Sequence, residues 1–378
     1  MESKQSIMEN LVNFDKLFGG IYKDKVVLVT GHNGFKGTWL SYWLRQMGAK
    51  VYGYALKPDI EPNHFALLNP DIEYIEADLR DAKTLDEYFA KIQPEIVFHL
   101  AAQALVRPSY ADPVGTFSTN VMGTLNVFEA ARKTDSVKAI VNVTSDKCYE
   151  NREWIWGYRE NDPMGGYDPY SASKGMVELM TSSYRNSFFN LKDYQKKHHK
   201  LLASVRAGNV IGGGDWATDR LIPDIVKASA KQEAVLIRNP KATRPWQHVL
   251  EPLSGYLTIG WRLLEEKTEF ADGWNFGPDM NSNLSVGEIA ELAKKVWSEV
   301  KIEIGTNKDE HHEANLLMLD CSKANKLLKW QPVWNIDDTI DKTISWYKDF
   351  YEKDLLNTQK DIEDFVKTAA KKEIVWAK

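Results

Sequence analysis

Cysteine is scarce in this 378-residue chain: Cys148 and Cys321 are the only two, and they lie far apart. Two such thiols make no disulfide framework and read as reduced groups in a reducing compartment. Long apolar runs are missing too; none approaches the roughly 18 residues of a membrane span. Residues 1–24 lack the basic-then-apolar pattern of a secretory signal. The expectation is a cytoplasmic protein without a membrane partner. There is no basic excess either: 48 Lys and Arg stand against 53 Asp and Glu, a net charge of −5. That argues against a nucleic-acid partner but allows a locally positive pocket for an anionic small ligand. The histidine pairs His198-His199 and His311-His312 sit in hydrophilic surroundings, and adjacent helical residues point apart, so no metal site is expected. Internal repeats and low-complexity stretches are absent.

What is present is core-forming material, 43% hydrophobic and 11% aromatic residues, enough for one large or two modest domains. Short apolar runs alternate with helical patterns through the first half. Strands are predicted at 26–29, 51–56, 74–76, 96–100 and 139–143. Helices are predicted at 38–47 (Trp39, Leu40, Trp43, Leu44 and Met47 on one face), at 85–92, and along the stripe Phe117, Val121, Leu125 and Phe128. This alternation predicts an α/β fold with a Rossmann-like, doubly wound parallel sheet covered on both faces. Beyond Gly208 the pattern is less regular, with helices at 285–300 and along Ile336, Ile340, Ile344 and Tyr347. The expected layout is an N-terminal extension (1–24), a dinucleotide-binding domain (25–207), a smaller mixed substrate-binding region partly interleaved with it (208–350) and a peripheral tail (351–378).

Thr30-Gly31-His32-Asn33-Gly34-Phe35-Lys36-Gly37 follows the first strand and opens the first helix. Glycines at this spacing let the backbone turn tightly and bring a pyrophosphate against a helix N-terminus. His32 is bulky for that turn and could crowd the phosphate or donate a hydrogen bond to it. No acid closes the second strand to hold the ribose of NAD; Asp59 comes late, and Lys57 would suit the extra phosphate of NADP. Further on, Tyr170-Ser171-Ala172-Ser173-Lys174 spaces tyrosine and lysine one helical turn apart. A phenol of pKa ~10 is a poor base. A neighbouring ammonium favours phenolate, and the pair can then take a proton from a sugar hydroxyl beside a nicotinamide.

These two motifs, with Ala77-Asp78-Leu79, His99-Leu100-Ala101-Ala102-Gln103, Thr119-Asn120, Arg206-Ala207-Gly208-Asn209-Val210 and Asp320-Cys321-Ser322-Lys323-Ala324, resemble the extended short-chain dehydrogenase/reductase family over residues 26–346. The resemblance implies NAD as cofactor, held by Gly31, His32, Gly34, Phe35, Gly37, Asp78 and Leu79, with Ala101, Ala102, Gln103, Asn120, Tyr170 and Lys174 completing its site. Thr144-Ser145-Asp146-Lys147 points to elimination. Related nucleotide-sugar dehydratases carry an acid at position 146, where epimerases carry small uncharged residues. Lys147 stands where most dehydratases have glutamate. The runs 154–160, 164–170, 209–216 and 244–249 resemble the branch that dehydrates CDP-glucose, which shares this lysine. The resemblance thereby implies CDP-glucose as substrate, a 4-keto-6-deoxy product, and a place in deoxysugar and surface-polysaccharide precursor synthesis. Ser145, Asp146, Lys147, Tyr170 and Lys174 would be catalytic. Asn209, Arg244 and Asn275 would meet the nucleotide diphosphate, with Arg220 and Arg238 as weaker candidates. A 4-epimerase or reductase, or a non-catalytic nucleotide sensor, are the alternatives. Relatives pair through the helix bearing Tyr170 and the one before it, implying a homodimer, with a homotetramer as the larger alternative.

Overall fold

Each buried strand of the first half is too apolar to face water on either side, so both faces are covered. The computed structural model describes residues 12–237, 239–279, 282–305 and 316–378; Arg238, His311 and His312 lie outside them. In chain order the main elements are β1 (Val26–Thr30), α1 (Phe35–Gln46), β2 (Lys50–Ala55), α2 (His64–Leu68), β3 (Glu73–Glu76), α3 (Ala82–Ile92), β4 (Ile96–His99), α4 (Gly123–Lys133), β5 (Ala139–Val143), α5 (Pro169–Ser187), β6 (Leu201–Ala207), β7 (Asn209–Ile211), α6 (Leu221–Ala230), β8 (Ala234–Ile237), β9 (Thr243–His248), α7 (Leu250–Leu264), β10 (Gly273–Phe276), β11 (Asn283–Ser285), α8 (Val286–Val296), β12 (Lys301–Ile304), α9 (Ile336–Lys353) and α10 (Thr358–Lys371). Seven strands form one parallel sheet in the order β10-β6-β5-β4-β1-β2-β3. Side chains alternate across it: Val27 and Val29 join a core with α1 and α7, while Leu28 joins the one beneath α3 and α4. Small sheets of β11-β9-β7 and β12-β8 flank it. The Rossmann-like architecture is the one expected.

Three expectations change. The stripe Phe117, Val121, Leu125 and Phe128 does not form one continuous α-helical face. A π-turn at Ser118–Met122 inserts a residue before α4, and the buried face becomes Asn120, Thr124, Val127, Phe128 and Ala131. The tail is not peripheral. Phe365 and Trp376 are fully buried, and Trp43 of α1 meets both rings, at 5.9 and 5.7 Å. Residues 12–24 are likewise not a loose extension, since Phe18 stacks on Trp376 at 5.1 Å. Aromatic area drives both terminal segments onto the sheet despite their charged outer faces. In the second half, β10 pairs with β6 in the main sheet, so the two regions share one core.

Candidate active site

The loops that leave the carboxyl ends of β1, β4 and β5 meet where the strand order reverses, the usual ligand crevice of an open α/β sheet. Gly31 turns with φ +72°, and a Cβ on it would lie 2.8 Å from the Ala101 nitrogen. Only glycine lets the two loops touch. A Cβ on Gly37 would lie 1.9 Å from the Gly31 carbonyl, so the helix start folds back onto the turn. Gly34 is the N-cap of α1 and supplies no side-chain cap, which leaves first-turn N–H groups for an anion. This cradle fits a dinucleotide pyrophosphate. Beneath it, His99 bridges Thr30 (2.7 Å) and Thr124 (2.9 Å). Burial pushes its pKa down to about 3, making it a neutral strut.

The His32 side chain turns away from the cradle. It is fully buried, with its ring 4.8 Å from that of Phe65 and 5.1 Å from that of Tyr74. A Cβ on Gly53 would strike it at 2.5 Å, so the glycine inside β2 makes its room. Burial pushes the imidazole down to about 4. It is a neutral wedge packed under the turn. Asp78 is half-buried and accepts both Nε (2.9 Å) and Nη2 (2.6 Å) of Arg80. Leu79 is buried against Gly123. Lys57 and Asp59 are exposed.

Gln103 and Asn120 serve the frame of the site. Asn120 accepts the Gln103 N–H at 2.8 Å and donates to the Gln103 carbonyl (3.0 Å) and to Ser173 Oγ (2.8 Å). The π-turn that displaced the predicted stripe therefore ties α5 down between Tyr170 and Lys174. The Gln103 amide is spent on Leu105 and Thr116, each at 3.0 Å, while the Ala101-Ala102 segment passes under the glycine turn.

Local sequence places the candidate reacting groups. Asp168 caps α5, accepting from Ser171 N at 2.9 Å, and Pro169 fills the first helical position. Tyr170 and Lys174 are thereby fixed one turn apart, both buried. The Lys174 ammonium reaches back to the Val143 carbonyl at 3.3 Å, where β5 ends; burial pushes its pKa down to about 8. Ser145 donates to Asp146 at 2.9 Å and accepts the Lys147 N–H at 3.2 Å. Asp146 is buried and Lys147 half-buried. Burial pushes the Tyr170 phenol up to about 12, opposed by the Ser145 hydroxyl and by Arg220 and reinforced by Asp146. In the protein alone, burial thus outweighs the activation expected of the tyrosine-lysine pair.

Arg220 is brought to the centre. It pairs with Asp215 at 2.8 Å and faces Tyr170. Asp215 lies on the 212–216 loop, which is bolted to α1 by Trp39 Nε1 on the Gly213 carbonyl (2.9 Å) and to α9 by the Tyr347 hydroxyl on the Asp215 carbonyl (2.6 Å). Asn209 is half-buried on β7, and Arg244 is half-buried on β9 with Nη1 on the Thr243 carbonyl at 2.9 Å. Asn275 is corrected. It is fully buried, accepts from Tyr149 Oη at 2.8 Å, and donates to the carbonyls of Tyr158 (2.8 Å) and Asp320 (3.2 Å). A side chain saturated in this way has no donor left for a phosphate.

Two features escape sequence reading. One is the buried pair Glu178–Arg206 at 2.7 Å. Glu178 also accepts from Thr144 Oγ1 (2.5 Å) and Ser204 Oγ (2.7 Å). It sits one turn after Lys174, a signal available in the sequence. The other is Lys36, inside the glycine motif, whose charged neighbours are Arg220, Asp146, Lys174 and Asp215. Among the described residues no helix is long and apolar enough to cross a membrane, and no group of three or more His, Cys, Asp or Glu could hold a metal. Cys148 and Cys321 are unpaired with each other.

Fold and site together define a Rossmann-like nucleotide-binding protein with a tyrosine-lysine pair and an adjoining carboxylate. The family model for GDP-mannose 4,6 dehydratase matches residues 28–343. The chain belongs to that epimerase/dehydratase family. It is 50% identical over 349 residues to the CDP-glucose 4,6-dehydratase of Salmonella typhimurium, covering 91% of this chain and 97% of that one. It is 26% identical to the UDP-glucose 4-epimerase of Mycoplasma genitalium, covering 86% and 97%. An epimerase structure from Methanothermobacter thermautotrophicus superposes with a TM-score of 0.75 at 23% identity, covering 90% and 97%. A Thermus thermophilus UDP-glucose 4-epimerase in complex with NAD gives 0.71 at 22%, covering 85% and 98%.

Proposed function

We propose that the chain is a nucleotide-sugar 4,6-dehydratase that converts CDP-glucose to its 4-keto-6-deoxy product with NAD. The observation that carries this reading is the buried meeting of Ser145, Asp146, Tyr170 and Lys174 beside the glycine cradle, in a chain half identical to a CDP-glucose 4,6-dehydratase along nearly its whole length. An acid at position 146 suits elimination, which an epimerase does not need.

When bound, the nicotinamide supplies reversible two-electron chemistry at carbons 4 and 6. Tyr170 receives the proton of the sugar's 4-hydroxyl, and the Ser145 hydroxyl steadies that oxygen. Lys174 holds the ribose and counters the burial that keeps the phenol protonated. The 4-ketone acidifies the hydrogen on carbon 5. Asp146, in its protonated form, gives that proton to the oxygen leaving carbon 6 as the carbon-5 proton passes to solvent, from which carbon 5 is later reprotonated. The proton taken up by Tyr170 restores Asp146, so one molecule of water is lost in all. Arg220 and Arg244 provide cations for the substrate's diphosphate. The cofactor cradle is built from the backbone of Gly31 to Gly37, with Asp78 at the adenosine end; His32 contributes packing alone. Two copies pair through α5 and α4, where Met176 and Leu179 of α5 and Met122, just before α4, are exposed, and a light-scattering mass of one chain would exclude this. Incubation with a panel of nucleotide sugars and mass spectrometry tests the reaction. CDP-glucose is expected to lose one water, and inertness toward every nucleotide sugar would overturn the reading.

A further inference from the structure

Lys36 is the second residue of α1, within the cradle of Gly31 to Gly37. A cation in the first turn of a helix opposes the helix dipole, so helix stability does not account for it. Its charged neighbours are Arg220, Asp146, Lys174 and Asp215. All of these belong to the reacting end of the site; the Asp78–Arg80 pair at the opposite end is not among them. The neighbours have partners of their own: Lys174 the Val143 carbonyl, Arg220 the Asp215 carboxylate and Asp146 the Ser145 hydroxyl. Lys36 makes no hydrogen bond or salt bridge to another described residue, which leaves its donors for a ligand. Three cations here face two carboxylates, and Lys36 is the one that tips the balance positive. Burial brings its pKa down to about 8, so it remains largely an ammonium at pH 7.

A positive chamber does not treat the two forms of a nicotinamide alike. The oxidised ring is a cation and the reduced ring is neutral, so a nearby fixed positive charge favours the reduced form. We propose that Lys36 is a ligand-facing residue at the nicotinamide end of the site that biases the bound cofactor toward its reduced form, helping withdraw electrons from a sugar alcohol that gives them up reluctantly. This inference rests on the dinucleotide reading above.

The test is the ratio of dissociation constants for oxidised and reduced nicotinamide nucleotide, measured by fluorescence titration on the full chain without sugar. One unit charge roughly 10 Å away at an effective dielectric constant near 20 corresponds to a change on the order of tenfold, and a closer charge to a larger one. Lys36→Met is expected to bind the oxidised form relatively better, lowering the oxidised-to-reduced ratio about tenfold. Lys36→Arg, which keeps the charge, is expected to retain the wild-type ratio and provides a second folded comparison. If Lys36→Met weakens both forms in parallel, Lys36 is a phosphate contact and the proposal is overturned; an unmoved ratio overturns it as well. Failure of the wild type to bind either form would instead overturn the dinucleotide reading.

Discussion

Replacing Glu178 by Gln keeps the shape of the side chain and removes its charge. In the structure Glu178 accepts Nε (2.8 Å) and Nη2 (2.7 Å) of Arg206, with the hydroxyls of Thr144 and Ser204 on the same carboxylate. Both members of the pair are about 97% buried. A neutral amide at this position would leave the guanidinium uncompensated, and breaking a buried pair from one side costs about 3–5 kcal/mol. For 378 residues the unfolding entropy is about 0.8 kcal/mol per kelvin, so Tm should fall by roughly 4–6 °C. Thr144 precedes Ser145, the residue proposed to steady the sugar oxygen, so kcat should fall about tenfold with KM nearly kept. The loss should also depend on pH. Burial alone would raise the Glu178 pKa, but the charge and hydrogen bonds of Arg206 outweigh it and bring the group to about 2. A depressed carboxylate contributes stability that is complete above its unfolded pKa and fades as pH falls toward the folded value. The gap between wild type and Glu178→Gln should therefore be full near pH 7 and shrink below about pH 4.5. Replacing both partners, as Glu178→Leu with Arg206→Met, should cost less than the single change. Thermal unfolding by circular dichroism across this pH range, with steady-state kinetics, makes the comparison. A shift in Tm under about 1 °C with unchanged kcat would refute the reasoning.

Three further outcomes are expected. Tyr170→Phe removes the oxygen proposed to accept the proton while keeping the ring, so turnover should drop by at least ~10²-fold with substrate binding largely kept; near-normal turnover would exclude it as the base. Asn275→Ala should lower stability by about 1–3 kcal/mol, because Tyr149 Oη and two carbonyls lose their partner, and should leave KM for the nucleotide sugar almost unmoved; a large rise in KM at constant Tm would return Asn275 to the diphosphate. Lys147→Met should slow exchange of the carbon-5 hydrogen with solvent without abolishing it, since an ammonium stabilises the developing enolate oxygen but cannot accept a proton; complete loss of exchange, followed by NMR in deuterated water, would make Lys147 the base.

Most of the sheet was legible because its signals are local. A run such as Val26-Val27-Leu28-Val29 has too little polarity for any site but a doubly covered strand, and Asp168-Pro169 announces the start of α5 in two residues. The misreadings all involve contacts distant in sequence. Nothing near Phe117 foretells a π-turn, whose reason is the bond from Asn120 to Ser173, 53 residues on. The tail looked peripheral because α10 is charged along one face; its other face is held by Trp43, and Trp376 beyond it by Phe18, each more than 300 positions away.

The site divides along the same line. Groups placed by spacing within one turn of chain, such as Tyr170 with Lys174 or Ser145 with Asp146, lie buried together as that spacing predicts. Roles decided by what fills the space around a side chain could not be read that way. His32 and Asn275 have polar groups suited to a ligand, yet Gly53 opens a hole for the one, and Tyr149, Tyr158 and Asp320 exhaust the other. Lys36 runs the opposite way. As a residue type it suggests an ordinary solvated lysine, and its position alone is what jars, since the first turn of a helix repels a cation. A charge placed against its local electrostatics, and held there without a protein partner, is accounted for by something that is not protein, which is why the ratio of affinities for the two nicotinamide forms, more than any loss of activity, bears on its role.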